Sequence, residues 1–190
     1  MTTVKEKLKQ ILARREKRRI ADPEQIPAAI LVPIYEKNGQ HHILFIKRTE
    51  WVEKHKGEIS FPGGTYEAQD KTLLNTALRE SAEEISLNPD DVEILGELAD
   101  VSSVKTNYAI TPFLAVIPWP YELKVDGHET EEIIEAPIAT LMNIGRSRQE
   151  LRGRETVTVY QYDYQGRVIW GATARILAEF LDIFAQAMQP

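Results

Sequence analysis

Apolar residues recur at two spacings along this chain. Between positions 3 and 19, Val4, Leu8, Ile11 and Leu12 fall on one helical stripe surrounded by basic residues. That pattern predicts a basic amphipathic helix packed on the body or on a second copy. AAILVPIY (28–35) and HHILFIKR (41–48) read as strands, and the Asn38-Gly39 pair between them is a hairpin signal. Residues 49–71, punctuated by Gly57, Pro62, Gly63 and Gly64, read mostly as loop. A helix is predicted over 72–87, stopping before Asn88-Pro89. Strands follow at 92–101 and 108–117, then a loop over 119–132, a short strand at 133–136 and a short helix at 137–144 with proline at its start. Two further strands, 156–164 and 167–170, flank a Gln165-Gly166 turn, and Tyr160, Tyr162 and Tyr164 share one face there, where they pack on the terminal helix. That closing helix carries Ile176, Leu177, Phe180, Leu181 and Phe184 on one side. Strands and helices intermingle without strict alternation, which points to α+β or mixed α/β layers.

Composition narrows this to one domain of ordinary globular character, with 190 residues, 43% hydrophobic and 27% charged. No apolar run approaches the roughly 20 residues that cross a bilayer, and the N-terminus has no signal-peptide core. The absence of cysteine excludes disulfides, thiolate zinc sites and a cysteine nucleophile, which fits the cytoplasm. Net charge is −6, yet residues 1–20 hold eight Lys/Arg against two Glu, so the remaining body is strongly acidic. Such a body is a poor general nucleic-acid binder, and on an anionic substrate it needs metal or local basic groups.

The helix at 72–87 carries the chemistry. At about 100° per residue, Leu74, Ala77, Leu78, Ser81, Ala82 and Ile85 fall on one arc and Glu80, Glu83 and Glu84 on the opposite one. Three acids on a helix are an ordinary solvated face or a platform for a hard divalent cation, which takes oxygen ligands and bridges to phosphates. FPGG (61–64) just upstream permits sharp turns and close backbone approach.

Together these stretches resemble a known pattern. GGTYEAQDKTLLNTALRESAEEISL (63–87) is similar to the Nudix box, with Gly64 at its first glycine, Asp70 at its first acid, then Arg79-Glu80 and Glu83-Glu84. The gap from Asp70 to Arg79 is one residue longer than the pattern, Ser81 replaces an apolar residue, and Ser86 replaces the final glycine. LFIKRTEWVEKHKGEISFPGG (44–64), ITPF (110–113), ETEEIIEAP (129–137) and IWGATARIL (169–177) resemble the coenzyme A pyrophosphatase branch of that family. Glu53 and Ile46 depart from that branch, which usually has arginine and threonine there.

The resemblance implies an α/β/α sandwich around a mixed β-sheet, with residues 1–22 as an N-terminal helical appendage and 23–190 as the hydrolase domain. It implies hydrolysis of a diphosphate linkage with Mg²⁺ or Mn²⁺, of coenzyme A or a CoA derivative to 3′,5′-ADP and a 4′-phosphopantetheine product. Alternatives are a broader nucleoside-diphosphate-X hydrolase acting on ADP-ribose or NADH, and a non-catalytic nucleotide-binding module. By resemblance Glu80 and Glu84 are primary metal ligands, Glu83 serves a second metal, and Arg79 orients the carboxylates. The general base is Glu129, Glu132 or Glu80. Gly63 and Gly64 let the backbone approach the substrate. Arg48 and His55 are candidate substrate contacts, beside the plainer readings of a surface ion pair and a loop residue. Lys54 and Lys56 read as solvated charges, Trp170 and Phe180 as core, and Asp70 as a helix cap near Thr72. No nucleic acid or membrane partner is expected. Relatives often form homodimers, for which the N-terminal stripe offers a surface.

Overall fold

The computed structural model describes residues 3–51, 56–103, 107–152 and 155–189. Helix α1 (Val4–Arg14) opens on a reciprocal cap, in which the Thr3 hydroxyl accepts from the Glu6 amide and the Glu6 carboxylate accepts from the Thr3 amide. It ends five residues earlier than the sequence pattern suggests. Past Ala13 no apolar residue occurs before Ile20, so nothing holds another turn against the core.

Strands β1 (Ile26–Lys37) and β2 (Gln40–Arg48) form the expected hairpin, with Asn38 and Gly39 both at positive φ. Their hydrogen-bonded register covers just Ile34–Lys37 against Gln40–Ile43, and beyond it the strands diverge. The fork is filled by β3 (Ile59–Ser60), which pairs with the end of β2, and β4 (Gly63–Thr65), which pairs with the start of β1. The stretch read as loop therefore carries two short strands, each requiring a partner distant in sequence. Helix α2 (Leu73–Ile85) follows, with the Thr72 hydroxyl capping the Asn75 amide.

The run at 92–101 is split into β5 (Glu93–Glu97) and β6 (Val101–Ser103), both antiparallel to β7 (Tyr108–Val116). Strand β7 lies parallel to β1 over nine residues, and β8 (Thr130–Pro137) pairs antiparallel with β2, so the eight-stranded sheet is mixed. After α3 (Ile138–Ile144), β9 (Gly145–Arg152), β10 (Glu155–Tyr164) and β11 (Arg167–Ile169) make a second antiparallel sheet, and α4 (Gly171–Met188) closes the chain. Strand β9 has no forerunner in the apolar pattern, since GRSRQELR does not alternate and its ladder to β10 defines it.

Alternation along β1 and β2 sorts the core into two layers. Val32, Ile34, Ile43 and Phe45 face α1, α3 and α4, whereas Leu31, Tyr35, Leu44 and Ile46 face α2. This is the expected α/β/α arrangement. Leu8 and Leu12 of α1 are buried in the first layer, and Leu12 packs where a Cβ on Gly96 would lie 2.9 Å from its own Cβ. The basic N-terminal segment is spent largely on the acidic body: Lys5 and Lys9 pair with Glu93, Arg15 with Glu179, and Arg19 with Glu97 and Asp100. At such exposure each pair contributes roughly 0–1 kcal/mol. No described helix is long and apolar enough to cross a membrane.

Candidate active site

The fork between β1 and β2 determines the fate of the three glutamates on α2. Pairing with Ile30 carries Gly63 past the C-terminal half of the helix, beside Glu84, and so close to β1 that a side chain there would overlap the Ala29 carbonyl. A methyl on Gly64 would overlap the Glu80 carboxylate. Glu80 and Glu84 thus face a backbone segment rather than open water. Glu84 is 3% exposed, Glu80 is partly buried and Glu83 is exposed.

Each acid has defined partners. Glu84 Oε2 accepts from the Gly63 amide at 2.9 Å, and its Oε1 accepts from Arg48 Nη1 at 3.3 Å. Arg48 Nη2 reaches on to Glu129 Oε2 at 2.8 Å. Arg79 donates through Nε to Asp70 Oδ1 at 2.8 Å, through Nη1 to Glu83 at 3.0 Å and through Nη2 to the Thr65 carbonyl at 3.3 Å, and it pairs with Glu80 at 3.0 Å. Burial pushes the Glu84 carboxyl up to about 8, against the pull of the Gly63 amide and Arg48, and the charges of Glu80 and Glu129 add to the rise. Burial likewise raises Glu80.

Asp70 is neither cap nor member of this group. It is buried beneath α2, where it accepts from Arg79, the Thr76 hydroxyl and the Glu67 amide, and the Arg79 guanidinium holds it well below the usual carboxylate range. The cap is Thr72, two residues later. The two serine departures have local explanations. Ser81 is buried and donates to the Ala77 carbonyl at 2.7 Å, which satisfies its hydroxyl within the helix. Ser86 takes the left-handed C-cap conformation that favours glycine, with φ 55°.

A cavity of about 1100 Å³ opens beside these groups. Arg48, Gly63, Gly64, Glu80 and Glu129 line it together with Tyr160, Val168, Trp170 and Arg175. Trp170 is 38% exposed here and not a core residue, whereas Phe180 is fully buried as expected. Alternation explains the difference: Ile169 pairs with Tyr162 and points inward, so Val168 and Trp170 point outward. Tyr162 and Tyr164 are buried against the core with Tyr160 packed beside them. Glu132 stands apart from the cavity, paired with Arg167 at 2.6 Å. Lys56 is exposed, and His55, Lys54 and Glu53 lie outside the described residues.

Glu58, Tyr108 and Arg148 are among the cavity residues that the sequence pattern did not single out, and they converge through the fold alone. Among the described residues no three His, Asp or Glu side chains are grouped to hold a metal ion as they stand. Arg48 pairs with both Glu84 and Glu129, and Arg79 with both Glu80 and Glu83. The donor chemistry still fits a hard divalent cation. Glu80 and Glu84 lie one helical turn apart, offer oxygen donors, and are raised by burial and by neighbouring carboxylates, Glu84 by Glu80 and Glu129 and Glu80 by Glu83 and Glu129, which a cation would relieve.

A family model described as the NUDIX domain matches residues 25–161. A Klebsiella pneumoniae subsp. pneumoniae protein described as an uncharacterized Nudix hydrolase, NudL, is 35% identical over 158 residues, spanning 82% of this chain and 81% of its own length. The protein of the same description from Escherichia coli is 33% identical over 154 residues, covering 80% of this chain and 79% of its own. A solved binary complex of a C. elegans Ap4A hydrolase superposes with a TM-score of 0.57 over 85% of this chain and 98% of that one, at 16% identity, a likeness of fold alone.

Proposed function

The chain belongs to the NUDIX domain family and is a hydrolase of a diphosphate linkage, and from that premise we propose that its substrate is coenzyme A or a CoA derivative. The products are 3′,5′-ADP and a 4′-phosphopantetheine species. The observation that supports this reading is a convergence. Two of the four stretches that resemble the coenzyme A pyrophosphatase branch, 44–64 and 169–177, are more than a hundred residues apart, yet both contribute to the same cavity. Its volume, about 1100 Å³, suits a ligand at the large end of small-molecule sites.

In this reading Glu80 and Glu84 hold a divalent cation, Mg²⁺ or Mn²⁺, with Glu83 serving a second. Such an ion neutralises phosphate oxygens and lowers the pKa of attacking water. The protein's own groups do the rest. Arg79, anchored by Asp70, fixes the directions of Glu80 and Glu83. The side-chain-free surface at Gly63 and Gly64 lets the diphosphate approach the backbone. All three acids considered as base have an arginine partner, but Glu132 does not line the cavity and Glu80 is assigned to the cation. Glu129, exposed and lining the cavity, is the acid we assign to accept the water's proton.

The test is incubation with CoA, ADP-ribose and NADH in Mg²⁺, with products identified by mass. Release of 3′,5′-ADP and 4′-phosphopantetheine from CoA is expected. Cleavage of ADP-ribose or NADH with CoA left intact would overturn the substrate assignment and favour the broader hydrolase.

A further inference from the structure

Arg48 is the last residue of β2, at the point where pairing with β8 shifts register. Its guanidinium bridges a buried carboxylate, Glu84, and an exposed one, Glu129. The two ends of the bridge differ. The contact to Glu129 is 2.8 Å, within the usual range for a charge-assisted bond, whereas that to Glu84 is 3.3 Å and long for one. Among the described residues the buried Arg48 Nε–H has no hydrogen-bond partner, so within that set one donor of the fork is unspent. Glu84 in turn has both oxygens in use, Oε2 on the Gly63 amide and Oε1 on Arg48. The Gly63 amide is fixed by the pairing of β4 with β1. Of the two partners, then, only the arginine can leave.

We propose that Arg48 and a divalent cation compete for Glu84 Oε1, and that the guanidinium released from Glu84 becomes the group that receives a substrate phosphate. This rests on the reading of Glu84 as an ion ligand. The planar fork of arginine matches a phosphate as well as it matches a carboxylate, and Arg48 already lines the cavity. One side chain thereby couples two binding events. Alone, the cation must displace Arg48 from Glu84 and is opposed by it. With substrate present, the displaced arginine finds a new partner, so cation and substrate each favour the other, reciprocally as linkage requires. Arg48 thus ties tight cation binding to the arrival of a diphosphate.

The experiment measures Mn²⁺ binding by calorimetry and by electron paramagnetic resonance, with no substrate, for wild type, Arg48→Gln, Glu84→Gln and Arg175→Gln. Arg175 is a control for net charge, being a cavity cation whose guanidinium donates to the Ser102 carbonyl. Arg48→Gln should bind Mn²⁺ about tenfold more tightly, equivalent to about 1.4 kcal/mol, while its KM for the diphosphate substrate at saturating Mn²⁺ rises about tenfold. Arg175→Gln should change Mn²⁺ affinity less than twofold. Unchanged or weaker Mn²⁺ binding in Arg48→Gln overturns the competition, as does equal tightening in Arg175→Gln. An unchanged KM overturns the transfer to phosphate. If Arg48→Gln does not fold, Arg48→Lys, which cannot bridge both acids, is read by the same criteria with an intermediate gain expected. Glu84→Gln separates the two layers of argument. Wild-type Mn²⁺ affinity there would sink the ligand reading itself, whereas lost affinity there with no gain in Arg48→Gln sinks only the competition.

Discussion

Asp70→Asn isolates the clamp beneath α2. The carboxylate is buried and accepts four hydrogen bonds, two from Arg79 at 2.8 and 3.2 Å, one from the Thr76 hydroxyl at 2.8 Å and one from the Glu67 amide at 3.0 Å. Asparagine keeps one acceptor oxygen and turns an NH₂ toward groups that are themselves donors. Removing one partner of a fully buried ion pair costs roughly 3–5 kcal/mol, but Arg79 is about one-fifth exposed and water can reach it. A loss of about 2–4 kcal/mol follows, which for a chain of this size lowers Tm by roughly 5–12 °C. Because Arg79 holds the Asp70 carboxyl below its ordinary value, this stability is present above the unfolded pKa of about 3.9 and is lost as pH falls toward the folded one. Urea unfolding of both proteins at pH 7, with m unchanged, measures the gap, and repeating it below pH 4 should show the gap shrinking. A difference under about 0.5 kcal/mol at pH 7, or one just as large below pH 4, would refute the clamp. Freed of Asp70, Arg79 also loses its hold on Glu80 and Glu83, so turnover should fall roughly 10–100-fold.

Further expectations concern other parts of the molecule. Gly64→Ala places a methyl on the Glu80 carboxylate and should cut turnover by about two orders of magnitude, a loss of about 2.7 kcal/mol in transition-state stabilisation, with the far-ultraviolet circular dichroism spectrum unchanged. In EDTA, the raised Glu84 carboxyl favours the fold while protonated, so stability should decline by a few kcal/mol as pH rises from about 4.3 to about 8. Glu84→Gln should flatten that slope in denaturant titrations. Leu8→Ala should cost about 2–5 kcal/mol in the same titrations, because Leu8 is fully buried in the core shared with α4. A loss under 1 kcal/mol would mean that α1 merely rests on the surface.

Much of the framework was legible because it follows from local periodicity. The β1–β2 hairpin, α2 and α4 each announce themselves through alternation, a 3.6-residue repeat or a turn pair that tolerates positive φ. Strand β9 did not, since its polar sequence is extended only by virtue of β10 beside it. The site divides in the same way. The resemblance singled out Glu80, Glu83 and Glu84, and helical geometry put them on one arc. Burial of Glu84 is another matter, because it depends on an amide 21 residues earlier and a guanidinium 36 residues earlier, brought together by the fork. Asp70 read as a cap from its place before the helix, yet its partner is Arg79, nine residues on, and no spacing rule favours that contact over capping.

Glu84 is where the fold and the chemistry meet, being at once the most buried of the three acids and the one that ties α2 to Gly63 and Arg48. Mg²⁺-dependent turnover of CoA by wild type and Glu84→Gln, with matched circular dichroism and thermal melts, therefore tests the account most directly. A fall of about three orders of magnitude or more in kcat with the fold retained, equivalent to about 4 kcal/mol of transition-state stabilisation, is the predicted result. Turnover within a few-fold of wild type would contradict it.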